Sequence, residues 1–228
     1  AKDFVTRRWI RCPVETWDDW EAMKARYDPE HPARVPANLT ELAPALAERD
    51  YPIGVGLHGP FWQMREWLGF EGLCIAFKDD PALIRDMVAF WTAYGSKPLE
   101  RVLTVVPFDY LHVSEDMAYK VKPMIGPEMC REFLAPCWRQ WGEILRGFGV
   151  PIYDVDSDGF IGDLIPVWIE CGINVCDPIE VAAGNDIVAF RAEFGRAMAF
   201  TGGVDKRAMA AGGGELEAEL SLIHISEP

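Results

Sequence analysis

PEMCREFLAPCWRQWGEILRGFGVPIYDVDSDG, residues 127–159, contains in one stretch both hydrophobic patterns from which the chain is built. In its first part Met129, Phe133, Cys137, Trp141, Ile144 and Phe148 recur at spacings of three and four, so they share one stripe of a helix. Gly149 then offers a helix end, and residues 152–155 form a short apolar run that reads as a buried strand. The strand closes on the turn Asp156-Ser157-Asp158-Gly159. A helix that returns through glycine to a strand ending in a polar turn is the repeating unit of a parallel α/β sheet.

The unit recurs on both sides. Strands are expected at residues 52–58, 109–114, 152–155, 173–176 and 198–201. Residues 81–94 form another helix, with Leu83, Ile84, Met87, Val88 and Trp91 on its stripe, and Gly172 and Gly195 supply further helix ends. Ahead of the first strand, residues 4–16 alternate enough for a strand or hairpin arm. Residues 17–27 read as a short helix, and the proline-rich residues 28–44 as a connecting loop. The expected organisation is an N-terminal strand/helix extension over residues 1–50 and a β/α domain over 51–220. Residues 221–228 lack the helical period before them and are expected to be a non-native tail. A closed (β/α)₈ barrel needs eight strands and ~250 residues. With about five units in 228 residues, the expected fold class is α/β, an incomplete (β/α)₈ TIM barrel or an open sheet.

Composition narrows the function. The chain is 50% hydrophobic and 25% charged, as globular proteins are, and its 22 Lys and Arg against 36 Asp and Glu give a net charge of −14. Such a surface repels phosphate backbones and anionic lipid, so neither nucleic acid nor membrane is an expected partner. No apolar run approaches the ~20 residues of a membrane span. The chain starts at Ala1 without a signal segment, and its six cysteines form no C-x-x-C pair. The expectation is a soluble cytoplasmic protein with reduced cysteines, incomplete at its start.

Reactive groups of parallel α/β folds stand at the carboxyl ends of strands. Those positions hold His58, then Glu115 and Asp116, then Asp156 and Asp158, then Asp177 and Glu180, and finally Asp205 and Lys206. Carboxylates converging on one mouth raise each other's pKa or require a cation, and either serves acid/base chemistry. Capping of the following helices competes with this reading at Asp163 and Asp205. His112, inside a strand, reads as core, and His31 lies in the proline loop. Two motif matches fail on context. Gly54-Val-Gly56-Leu-His-Gly59 fits the dinucleotide fingerprint, but its first glycines lie within a strand and Pro60 follows. Asp154-Val-Asp156-Ser-Asp158-Gly159 opens like a calcium loop, but Ile165 stands where a bidentate Glu is needed.

Several blocks in order carry a family likeness: GPFWQMREWLGFE (59–71), Asp79-Asp80-Pro81, SEDMAYK (114–120), GPEMCREFLAP (126–136), DVDSDG (154–159) and TGGVDKR (201–207). Together, over about residues 17–219, they resemble the uroporphyrinogen decarboxylase superfamily. That resemblance implies a TIM barrel with its active site in the mouth. It also implies an enzyme of corrinoid- or tetrapyrrole-linked methyl transfer, acting on a small molecule and with a corrinoid protein as a partner. The alternatives it implies are uroporphyrinogen decarboxylation and a non-catalytic corrinoid- or tetrapyrrole-binding module. Both characterised branches differ from this chain. The decarboxylases' Arg-Gln-Ala-Gly-Arg segment has no counterpart, and Arg65 alone occupies a comparable neighbourhood. The methyltransferases' zinc-binding His-x-Cys corresponds to Asp156-Ser157-Asp158, which favours a harder divalent cation or none. The residues expected to carry the chemistry are Asp156 and Asp158, as acid/base or cation-holding groups, with Glu115, Asp116 and His58. Arg65, Glu180, Asp205 and Lys206 are expected to face the substrate.

Overall fold

A computed structural model describes the backbone of residues 11–226 and the side chains of residues 11–221. Five parallel strands form one sheet in chain order: β1 (Gly54–His58), β2 (Tyr110–Ser114), β3 (Ile152–Asp156), β4 (Val175–Asp177) and β5 (Ala199–Phe200). Helices alternate with them: α1 (Trp17–Lys24), α2 (Leu39–Ala47), α3 (Pro60–Asp79), α4 (Pro81–Val105), α5 (Pro127–Met129), α6 (Ala135–Phe148), α7 (Ile165–Glu170), α8 (Ile187–Phe194), α9 (Lys206–Ala211) and α10 (Gly213–Ser226). The expected α/β class and the parallel sheet are both present, and the sheet is consistent with part of a TIM-barrel-like fold.

The register produces two faces. Leu111, Val113, Tyr153, Val155 and Cys176 are buried under the helices and pack with Trp138, Trp141 and Trp168, all fully enclosed. Each such side chain contributes ~1.5–3 kcal/mol by leaving water. The opposite face carries His58, Ser114, Asp156 and Asp177 in one row across the strands, and Gly56, His112, Asp154 and Val175 in the row below. Side chains there are half-buried or exposed.

One expectation changes, and two others reach the limits of the described residues. The strand or hairpin arm at residues 4–16 lies mostly outside the described residues, and residues 11–16 form no strand. The proline-rich segment is not all loop: a 3₁₀ turn (Pro32–Arg34) and α2 occupy it, with Pro44 inside the helix. Helix α10 continues to Ser226, past the boundary expected at residue 221. No helix among the described residues is long and apolar enough to cross a membrane.

Candidate functional site

Alternation along β2 and β3 puts His112, Asp154 and Asp156 on the open face, because every second residue of a strand points the same way. His112 is therefore not core. Its Nδ1 lies 2.6 Å from Asp154 Oδ2, and this hydrogen bond raises its pKa against the opposing effect of burial. Asp154 and Asp177 attract the imidazolium, as does Asp156. The three ligand atoms of His112, Asp154 and Asp177 lie within 4.8 Å of one another. Oδ1 of Asp154 and Oδ1 of Asp177 are buried without a hydrogen-bond partner among the described residues.

Three carboxylates of this face, Asp156, Asp158 and Asp177, hold their protons more tightly than usual. Asp177 is pushed up to about 6, first by burial and then by repulsion from Asp154 and Asp156, with His112 opposing. Burial likewise raises Asp156, reinforced by Asp158, Asp116 and Asp154. Asp158 is raised by burial and by Glu180 and Asp116, while Lys206 pulls it down. One imidazole thus faces more negative charge than it can neutralise.

Backbone bonds tie the strand-end turns together. The N–H groups of Glu115 and Asp116 both donate to Asp156 O, at 2.9 and 3.2 Å, and Ser157 N donates to Asp177 O at 3.0 Å. Ser157 Oγ accepts from Met117 N at 3.0 Å. Gly159, at φ +84°, packs so closely that a Cβ would stand 2.5 Å from Ala118 O, so only glycine closes this turn. Above it, Glu180 accepts from Gly159 N at 3.0 Å and pairs with Lys206 Nζ at 2.5 Å. The Asn185 amide bonds Gly159 O and Ile161 N.

The expected site residues therefore separate. Asp156, Asp158 and Asp116 gather around the open face with the trio. Glu115 turns the other way: it is fully buried, accepting from Trp138 Nε1 at 2.6 Å and Trp62 N at 3.1 Å at the start of α3. No open surface reaches it. Arg65 turns inward as well. It is 7% exposed and donates to Asp116 O at 2.7 Å and Asp116 Oδ2 at 3.2 Å, lying 4.8 Å over the Trp62 ring. Asp205 caps α9 and pairs with Arg207, whose bonds hold its carboxyl down at about 2. Glu180 and Lys206 are paired with each other at the rim. His58 is exposed at the end of β1, its ring 5.2 Å from Trp62. Sequence reasoning did not place His112 and Asp154 in the site. The signal that identifies them is the i, i+2 pairing of His112 with Ser114 and of Asp154 with Asp156.

No protein-family profile matches the sequence, and no curated protein sequence matches it. Among solved structures, a methyltransferase from Methanosarcina mazei is similar in fold, with a TM-score of 0.58 at 13% identity. The match covers 73% of this chain and 46% of that one, so the chain spans about half the length of its structural relative.

Proposed function

We propose that this chain is part of a methyl-transferring enzyme of the uroporphyrinogen decarboxylase superfamily type. In this reading the His112–Asp154 pair, with Asp156, Asp177 and Asp158, manages the proton of the methyl acceptor. The observation that carries the proposal is this imidazole–carboxylate cluster at the carboxyl ends of a parallel sheet whose fold resembles that of a methyltransferase. Transfer of a methyl cation equivalent to a thiol or similar nucleophile requires removal of the acceptor's proton. Asp154 orients His112 and favours its charged form, so the imidazole can accept that proton and keep it. Asp177, near 6, exchanges a proton close to neutral pH. The corrinoid, as the methyl carrier, is a substrate in this scheme and is presented to the open face by a partner protein.

Donor chemistry bears on the metal. No thiolate stands on the open face among the described strand residues, because Cys176 points to the buried side. A soft zinc–thiolate site does not fit. A divalent cation held by oxygen and nitrogen does, in place of the proton on His112: His112, Asp154 and Asp177 converge, and two buried carboxylate oxygens lack partners. Bound there, the cation would lower the pKa of an acceptor. For the second implied activity, uroporphyrinogen decarboxylation, the counterpart of the decarboxylases' basic segment is Arg65, and it is bonded to Asp116.

The test uses methylcobalamin as donor and a small thiol as acceptor, following loss of the donor's absorbance and formation of the thioether. Turnover that falls by ~10²-fold or more in His112→Ala and Asp177→Asn supports the assignment, since general acid–base groups contribute ~10²–10⁴-fold. Turnover indifferent to both substitutions would refute it.

A further inference from the structure

A separate cavity of about 520 Å³ opens beside His58, between the start of α3 and the segment following α1. Its walls are aromatic and fixed. Tyr27 and Trp67 meet edge to face at 5.5 Å, and Trp67 Nε1 donates to Tyr27 Oη at 3.1 Å. Its described polar lining sets Arg26, Arg34, His58 and Gln63 against one carboxylate, Glu66, in a chain whose net charge is −14. Arg34 uses its Nε on Asp28 O at 3.2 Å and lies 5.3 Å over Tyr94, which leaves its terminal nitrogens unbonded among the described residues. The Arg26 side chain is exposed and makes no hydrogen bond or ion pair among the described residues. Glu66, the one carboxylate among the described lining residues, is itself partnered.

Gln63 decides the chemistry. It is 7% exposed, lines this cavity, and its side-chain amide has no hydrogen-bond partner among the described residues. The amide atoms are not sealed in the core but open to the cavity, so they can bond a ligand there without losing a partner within the protein. Two planar guanidinium forks match a carboxylate, and flat aromatic walls match a ring.

We propose that the cavity binds a small aromatic carboxylate, its ring against Tyr27 and Trp67 and its carboxylate on Arg26, Arg34 and the Gln63 amide. The proposal adds a substrate class to the function proposed above, and equilibrium binding tests it apart from turnover. Benzoate and benzamide, equal in shape and different in charge, are titrated calorimetrically into the 228-residue chain. Benzoate is expected to bind at least ~10-fold tighter than benzamide, the worth of one charge-assisted contact. The Arg26→Ala/Arg34→Ala double variant should abolish that preference. Gln63→Leu should weaken benzoate binding, because it removes the amide that meets the carboxylate. Equal binding of the two probes, or indifference of benzoate to the arginines, overturns the proposal. A Gln63→Leu chain that binds benzoate unchanged overturns the part given to Gln63.

Discussion

Glu115 and Asp116 are chemically alike and adjacent, yet the fold separates them completely. The strand's end turns one carboxyl inward beneath α3 and the other out to the open face, where Arg65 holds it. Sequence shows that two acids follow β2 but not that a tryptophan from α6 waits for the first. Burial pushes Glu115 up to about 8, against the hydrogen bonds of Trp138, Trp62 and Phe61 that favour the carboxylate. The folded chain therefore keeps this proton more tightly than the unfolded chain, whose carboxyl titrates near 4.5. The stability it contributes is fully present below that value and is lost as pH rises to about 8, by an amount on the order of a few kcal/mol. Urea melts should show stability falling from pH 5 to 8. Glu115→Gln should flatten that part of the curve and cost ~1–3 kcal/mol at pH 5, because its NH₂ meets an N–H donor. A parallel pH slope in the two proteins would show that Glu115 does not hold the proton. His112 makes the complementary point: one apolar neighbour on either side makes it look like core, and only the register beside Asp154 reveals it.

At the level of elements, the strands were the legible part. All five overlap the expected runs, because a short apolar segment bounded by Gly, Pro or Asp has few other conformations. Helices were harder where proline lies within them. The stripe is buried or half-buried from Met129 to Ile144 while Phe148 at its end is exposed, and the helix carrying it passes through a π stretch (Cys130–Leu134), where Ala135 N bonds Cys130 O. Pro136 explains the slip: it has no N–H to offer Glu132, so the turn widens to keep its neighbours bonded. Helix α3 changes direction at Gly69, whose φ is +71°. Its first turn is equally dependent on a missing side chain. A Cβ on Gly59 would fall 2.0 Å from the Glu115 carboxyl carbon. Gly59→Ala should cost ~1–3 kcal/mol by overpacking and lower the melting temperature. An unchanged melt would mean that Glu115 can move aside without loss.

For the whole molecule, the two-faced sheet is the organising fact. Composition reveals the acidic excess but not its placement, since the parallel register is what lines carboxylates into rows. Repulsion across that face opposes folding and is screened by salt. Added NaCl should raise the melting temperature of both the wild type and Asp177→Asn. Millimolar Mn²⁺ should add a further rise in the wild type alone, because the variant lacks one of three converging ligands. Equal responses to Mn²⁺ would remove the cation from the proposed site. How the strand-end loops move is also decided at this scale. Glu180 grips the β3 turn through Gly159 and the β5 turn through Lys206, so three successive loops behave mechanically as one plate. Exchanging a single loop among those that follow β3, β4 and β5 should therefore disturb its neighbours as well.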